Sequence, residues 1–241
     1  ITLRPQDAEA LVERGIVLRG LAQPKAALAD FNSAIELDSS LAVAYSHRGQ
    51  VEIGLGRFAA ALADLGDAIR LDANQFEAYL YRGHVFRIRN EVGRALDDYA
   101  RATELRPAAI EAWLHRAYLL HQIGRIDDAR KHYERVLEME PKNEAALRNR
   151  ALIRLQTGRY DQAIRDLTAV IALEPDRAEH YYNRGIAYRQ KEDWARAIDD
   201  FSSAVAASPR DVDGLINRGF CYQQVGSVGK ALADFTRACT L

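Results

Sequence analysis

Apolar and small side chains return along this chain in alternating steps of three and four, and the whole arrangement returns every 34 residues. In residues 178–211 the first half is marked by Tyr181, Gly185 and Tyr188, and the second half by Ala197, Phe201 and Ala204. Steps of three and four keep side chains on one face of a helix, whereas a strand alternates at every second residue. Each 34-residue unit therefore predicts a helix A, a short turn and a helix B. The units are 8–41, 42–75, 76–109, 110–143, 144–177, 178–211 and 212–241, the last without its closing linker. Residues 1–7 read as the tail of a preceding repeat, so the chain is expected to be a piece of a longer array. A fixed period with no insertion predicts an all-α solenoid of antiparallel helix pairs, in which each unit packs only on its neighbours.

The register is unbroken. Counting each unit from 1 to 34, position 8 holds Gly15, Gly49, Gly83, Ala117, Ala151, Gly185 and Gly219. Position 20 holds Ala27, Ala61, Ala95, Ala129, Ala163, Ala197 and Ala231. Small residues at both positions predict a close crossing of helices A and B, with larger side chains at 4, 11 and 24 filling the groove between them. Gly56, Gly124, Gly158 and Gly226 fall at the A-to-B turn, where a left-handed residue ends a helix. Pro5, Pro107, Pro141, Pro175 and Pro209 follow helix B, which proline cannot continue. Asp7, Ser40, Asn74, Asn143, Asp176 and Asp211 are expected to cap the next helix A.

The spacing of small residues at 8, 20 and 27 and the proline at 32 resemble the tetratricopeptide repeat (TPR), and the likeness runs over essentially the whole chain. The resemblance implies a right-handed superhelix whose concave face is lined by the A helices. The chain departs from the family's common pattern at position 7, which is always Arg: Arg14, Arg48, Arg82, Arg116, Arg150, Arg184 and Arg218. Position 23 is Asp in six units, namely Asp30, Asp64, Asp98, Asp166, Asp200 and Asp234, with His132 in the remaining one. An Arg–Asp brace between helices A and B is the expectation. An arginine ladder for an acidic ligand is the alternative.

Composition narrows the function. The net charge is −1, without the basic excess of a nucleic-acid module. No apolar run is long enough to cross a membrane. The two cysteines, Cys221 and Cys239, read as free thiols suited to a reducing, cytoplasmic setting. No Gly-rich phosphate loop occurs. His115 and His121 lie six apart on one helix, off the i, i+4 spacing of a helical metal pair. Neither an enzyme, nor a metal, nor a cofactor is expected.

Binding remains. The resemblance places positions 2, 5, 6, 9, 12 and 13 on the concave face. Position 6 carries Asn149, Asn183 and Asn217 in the last three units, and position 13 carries Gln156, Gln190 and Gln224. Amide side chains pair with peptide groups without reading the ligand's side chains. A ladder with roughly 10 Å steps meets about every third residue of an extended peptide that advances ~3.3 Å per residue. The asparagines are similar in position to a ladder in the TPR array of O-linked N-acetylglucosamine transferases, which implies contact with a substrate backbone. The best register for the chaperone carboxylate clamp, Arg148, Leu152, Asn183, Asp213 and Asn217, keeps one residue and reverses a charge, so that mode is rejected. The expected role is a protein-interaction scaffold binding an extended segment between about Trp113 and Gln224. The alternatives are the substrate-selecting array of a larger enzyme and a structural subunit of a ciliary or transport assembly. Self-association through a truncated terminal repeat is a further expectation.

Overall fold

The computed structural model describes residues 7–241, so the expected repeat tail and Pro5 lie outside the described residues apart from Asp7. Fourteen α-helices and no strand make up the described residues. The A helices are α1 (Ala8–Gly20), α3 (Ala42–Gly54), α5 (Phe76–Ile88), α7 (Ile110–Gln122), α9 (Glu144–Gln156), α11 (Ala178–Gln190) and α13 (Val212–Gln224). The B helices are α2 (Pro24–Leu37), α4 (Phe58–Leu71), α6 (Val92–Leu105), α8 (Ile126–Met139), α10 (Tyr160–Leu173), α12 (Trp194–Ala207) and α14 (Val228–Thr240). Every A helix covers positions 1–13 of its unit, and every B helix begins at position 17. The chain divides into two compact units, 1–119 and 120–241.

Within the first unit, α1 packs on α2, α3 on α4 and α5 on α6, while α2 and α4 each receive the following A helix. The second unit repeats the scheme: α9 with α10, α11 with α12, α13 with α14, and α8, α10 and α12 against the next A helix. A helices also touch the next A helix, as α9, α11 and α13 do. The buried layers run from one helix pair into the next within each unit, as where Val12, Phe31, Ala44 and Val51 cluster across α1, α2 and α3.

The close crossing has a specific geometry. A Cβ added to Gly15 would sit 2.6 Å from the Phe31 ring, and one on Gly49, Gly83 or Gly219 would sit 2.8 Å from Leu65, Tyr99 or Phe235. Position 8 is small because the position 24 side chain lies directly over it. Phe31, Leu65, Tyr99, Tyr133, Leu167 and Phe201 are all fully buried there. Ala27 through Ala197 at position 20 are equally buried, as a close helix approach requires. On α14, the last helix of the chain, Val228 and Leu232 are 66% and 65% exposed and Phe235 is only partly buried.

The turns follow one rule. Gly56, Gly124, Gly158 and Gly226 have φ between 71° and 77°. The equivalent Ala22, Asn90 and Glu192 take φ of 55°, 59° and 59°, so the left-handed turn is imposed by the repeat even where glycine is missing.

The capping expectation needs correction. Asp7 accepts from Ala10 N at 3.2 Å and Asn143 from Ala146 N at 3.0 Å, as expected. Ser40, Asn74 and Asp176 lie one residue short of the cap positions, which Leu41, Gln75 and Arg177 occupy without a side-chain bond. The backbone N–H groups of Ser40 and Asn74 instead donate to Asp38 and Asp72, at 2.8 and 2.9 Å. These aspartate turns close the linker earlier and displace the cap. Asp211 holds the cap position of α13 but makes no capping bond.

The Arg–Asp brace is present in six repeats. Arg14, Arg48, Arg82, Arg150, Arg184 and Arg218 each donate through Nε and Nη2 to both oxygens of the aspartate 16 residues later, at 2.6 to 3.0 Å. This two-pronged geometry is the strong form of the pair. The aspartates are buried. Burial raises the Asp98 pKa, and the Arg82 hydrogen bonds and charge pull against it. The spare Nη1 often reaches back to the preceding B helix: Arg48 to Asn32 Oδ1 at 2.8 Å, Arg184 to Thr168 Oγ1 at 3.1 Å, Arg218 to Ser202 Oγ at 3.3 Å. One guanidinium therefore ties its own helix B and the previous one to helix A. In the fourth repeat, where His132 replaces the aspartate, Arg116 donates to Thr103 Oγ1 at 3.3 Å.

Candidate functional site on the A-helix faces

In the second unit, α9, α11 and α13 lie side by side and carry the predicted amides at matching positions. Asn149, Asn183 and Asn217 are half-buried, and Gln156, Gln190 and Gln224 are exposed. The asparagines are partly engaged. Asn149 Nδ2 donates to the Ala145 carbonyl at 2.7 Å. Asn217 Nδ2 donates to the Asp213 carbonyl at 2.8 Å and to Tyr182 Oη, on the neighbouring α11, at 3.2 Å. Asn217 thus spends both amide hydrogens and keeps its oxygen as an acceptor, whereas Asn149 spends one and keeps a second N–H beside its oxygen. Gln156 Oε1 lies 3.4 Å from His121 Nε2 on α7.

Sequence reading overlooked the apolar residues between the amides. Position 9 holds Leu152, Ile186 and Phe220, and Phe220 and Ile216 are 38% and 44% exposed. Phe220 packs edge-on against Trp194, and the Arg189 guanidinium lies over its ring at 5.8 Å. The face is thus an apolar strip flanked by amides.

Beside it, Ala178, Glu179, Tyr182, Ser208, Asp211 and Asp213 line a cavity of about 280 Å³. Burial raises the Tyr182 pKa, and the charges of Asp213 and Asp211 raise it further. Glu179 and Asp213 sit in the first turns of α11 and α13, where a carboxylate also meets the helix dipole. Arg148, the one cation offered to the rejected carboxylate clamp, is paired with Glu144 at 2.5 Å.

The first unit presents a different face. Tyr81 and His84 on α5, His115 on α7 and Tyr99 on α6 form one ring cluster, in which His84 and His115 are 4.3 Å apart between centroids. Burial, helped by the charges of His115 and Arg87, pushes His84 down to about 3. His115 is also lowered, mainly by burial. Further along, His47 stacks on Phe31 at 6.0 Å, and burial lowers it to about 4. Glu111 stands one helical turn before His115, and its Oε1 is 3.7 Å from His115 Nε2. That i, i+4 pair was legible in the sequence, but comparing His115 only with His121 missed it. His84 joins the pair from another helix, which no local spacing announces. A second carboxylate–histidine group, Glu144, Glu174 and His180, lies in the other unit. Cys221 is buried and Cys239 exposed, both as free thiols.

No helix among the described residues is long and apolar enough to cross a membrane. A tetratricopeptide repeat family model matches residues 48–110, 89–144, 114–167 and 148–212, together more than half of the chain. Among solved structures, the C-terminal part of a TPR protein from Cytophaga hutchinsonii is similar over 95% of this chain and 95% of its own, at 15% identity and TM-score 0.79. YrrB, described as a TPR protein with an unusual peptide-binding site, is similar over 77% of this chain and 95% of its own, at 22% identity and TM-score 0.71. MamA from Desulfovibrio magneticus is similar over 69% of this chain and 94% of its own, at 22% identity and TM-score 0.66. No curated protein matches the chain in sequence. At these identities the likeness to solved structures is one of fold.

Proposed function

Because this chain belongs to the tetratricopeptide repeat family, we propose that it is an interaction scaffold that holds an extended peptide along α9, α11 and α13. The observation that carries this reading is the combination on one face of amides at positions 6 and 13 with the apolar strip at position 9. Amides paired to a peptide backbone supply register, and Leu152, Ile186 and Phe220, one per repeat, offer apolar contacts to side chains of the ligand. The description of YrrB as binding a peptide agrees with this use of the fold. The carboxylates of Glu179, Asp211 and Asp213 around their cavity favour a ligand with a basic side chain near α11 and α13. The reading involves no catalysis by these residues and no nucleic acid.

The test is a peptide-display selection on the wild-type chain, followed by fluorescence anisotropy of the selected peptides on the variant Asn149→Ala/Asn183→Ala/Asn217→Ala, with circular dichroism to confirm helicity. The expected result is a shared motif containing Lys or Arg and a loss of affinity of about tenfold or more, since each hydrogen bond contributes about 0.5–1.5 kcal/mol. Unchanged affinity in a folded variant would remove the amide ladder from the site.

A further inference from the structure

We infer that His84, His115 and Glu111 form a binding site for one divalent transition-metal ion, on the A-helix face of the first unit. Each offers one ligand atom, and the three atoms lie within 4.8 Å of one another. Glu111 and His115 come from successive turns of α7, and His84 comes from α5. The site is therefore held by two helices rather than by a loop.

Three features distinguish it from a chance grouping. The first is an orphan: His84 Nε2 is buried and makes no hydrogen bond. A buried polar nitrogen left without a partner is destabilising, and a metal ion would supply the missing partner. The second is rigidity. Tyr99 stacks on His115 at 5.7 Å and meets His84 edge-on at 5.7 Å, while Tyr81 packs edge-on against His84 at 5.6 Å. These rings fix the imidazole planes, so little ordering remains to be done on binding. The third is a movable closing ligand. The Glu111 side chain is 55% exposed, and its oxygen, 3.7 Å from His115 Nε2, needs only a rotamer adjustment to join a sphere with metal–ligand bonds of ~2.0–2.2 Å.

Two imidazoles with one carboxylate suit zinc, cobalt, nickel or copper and do not suit magnesium or calcium, which take oxygen donors. Three protein ligands leave a position open to water or to a donor from a bound partner. Arg87, which acts electrostatically on both imidazoles, opposes a dication and limits the affinity. The other carboxylate–histidine group also holds a buried nitrogen without a partner, His180 Nδ1, but it has no free closing carboxylate. Glu144 is paired with Arg148 at 2.5 Å, and Glu174 with Arg177 at 3.1 Å and His180 at 3.2 Å, so its carboxylates are already matched.

The experiment uses the tag-free chain, freed of metal with a chelator, at pH 7.5. Zinc alone is titrated by calorimetry, and cobalt alone by its visible absorption, with magnesium as the negative control. The expected result is one tight equivalent of zinc or cobalt and none of magnesium. Binding should weaken at least tenfold in Glu111→Gln, disappear in His84→Ala and His115→Ala, tighten in Arg87→Ala and persist unchanged in Glu174→Gln. Zinc should also raise the melting temperature of the wild type and not that of Glu111→Gln. The exposed Glu111 can be changed without disturbing the fold, so that variant decides the matter even if a histidine variant unfolds. No zinc binding, or binding indifferent to Glu111→Gln, or binding lost in Glu174→Gln, overturns the assignment.

Discussion

Gly83 shows how one hydrogen in place of a methyl group sets the spacing of two helices. Its missing Cβ would stand 2.8 Å from the Tyr99 ring, inside any real carbon–carbon contact. Gly83→Ala should therefore cost about 1–3 kcal/mol, read as a lower midpoint in urea unfolding. Ala117 and Ala151 occupy the same position in their repeats, so a methyl group is accommodated where the surrounding pair has been built for it. The opposite sign is expected at Glu192, which takes φ of 59° where four sister repeats use glycine. Glu192→Gly should stabilise the chain by about 0.5–1 kcal/mol, since relief of left-handed strain exceeds the added freedom of the unfolded chain. His47 gives a pH-dependent case. Burial holds it neutral and lowers it from 6.5 to about 4, with Arg19 adding to the effect and Glu77 opposing it. The unfolded chain then binds the extra proton between those values, so stability falls as pH drops from about 6.5 towards 4. The slope in that window should shrink in His47→Gln when unfolding is followed at several pH values.

At the scale of the helix pair, the Arg–Asp brace links fold and sequence most directly. Asp200 is buried and accepts two bonds from Arg184, each 2.8 Å. Removing the arginine alone strands a buried carboxylate, so Arg184→Leu should cost about 3–5 kcal/mol. The double replacement Arg184→Leu/Asp200→Leu should cost markedly less, because it removes the stranded charge as well. Equal costs for the single and double variants would contradict a buried, mutually dependent pair. The brace also gives a physical role to the arginine at position 7, where the chain departs from the family's common pattern: the guanidinium reaches Asn32, Thr168 or Ser202 on the preceding B helix while its other edge holds the aspartate. An alkyl side chain would fill the space without joining the three helices.

For the whole molecule, periodicity makes stability a local property. Helices α2, α4, α8, α10 and α12 are each covered by the next A helix, whereas α14 carries Val228 and Leu232 at 66% and 65% exposure. Amides of α14 should therefore exchange with deuterium faster than those of α12, in native-state hydrogen exchange. Slow, uniform exchange in both helices would mean that the last pair is as well held as the inner ones. The polar surface features are unevenly distributed as well. The amide and apolar face belongs to α9, α11 and α13 in the second unit, and the histidine cluster to α5 and α7 in the first. The stretch from Trp113 to Gln224 that the sequence favoured as one groove runs across the boundary between the two units, so the proposed peptide site is confined to the second.

The sequence by itself determined the helices, their order and the pairing of Arg14 with Asp30 and its counterparts. Those features depend on spacing along the chain, and a strict 34-residue period repeats the same evidence in every unit. Only the tertiary structure decided which polar groups were free to act. Asn149 and Asn217 turn a donor onto their own helices, Asp38 and Asp72 take the backbone bonds that moved two caps, and His84 meets His115 from a different helix. Each of those outcomes is a competition for one hydrogen bond or one small volume. It is settled by atoms far apart in sequence or by the rotamer of a single side chain, and neither leaves a periodic trace.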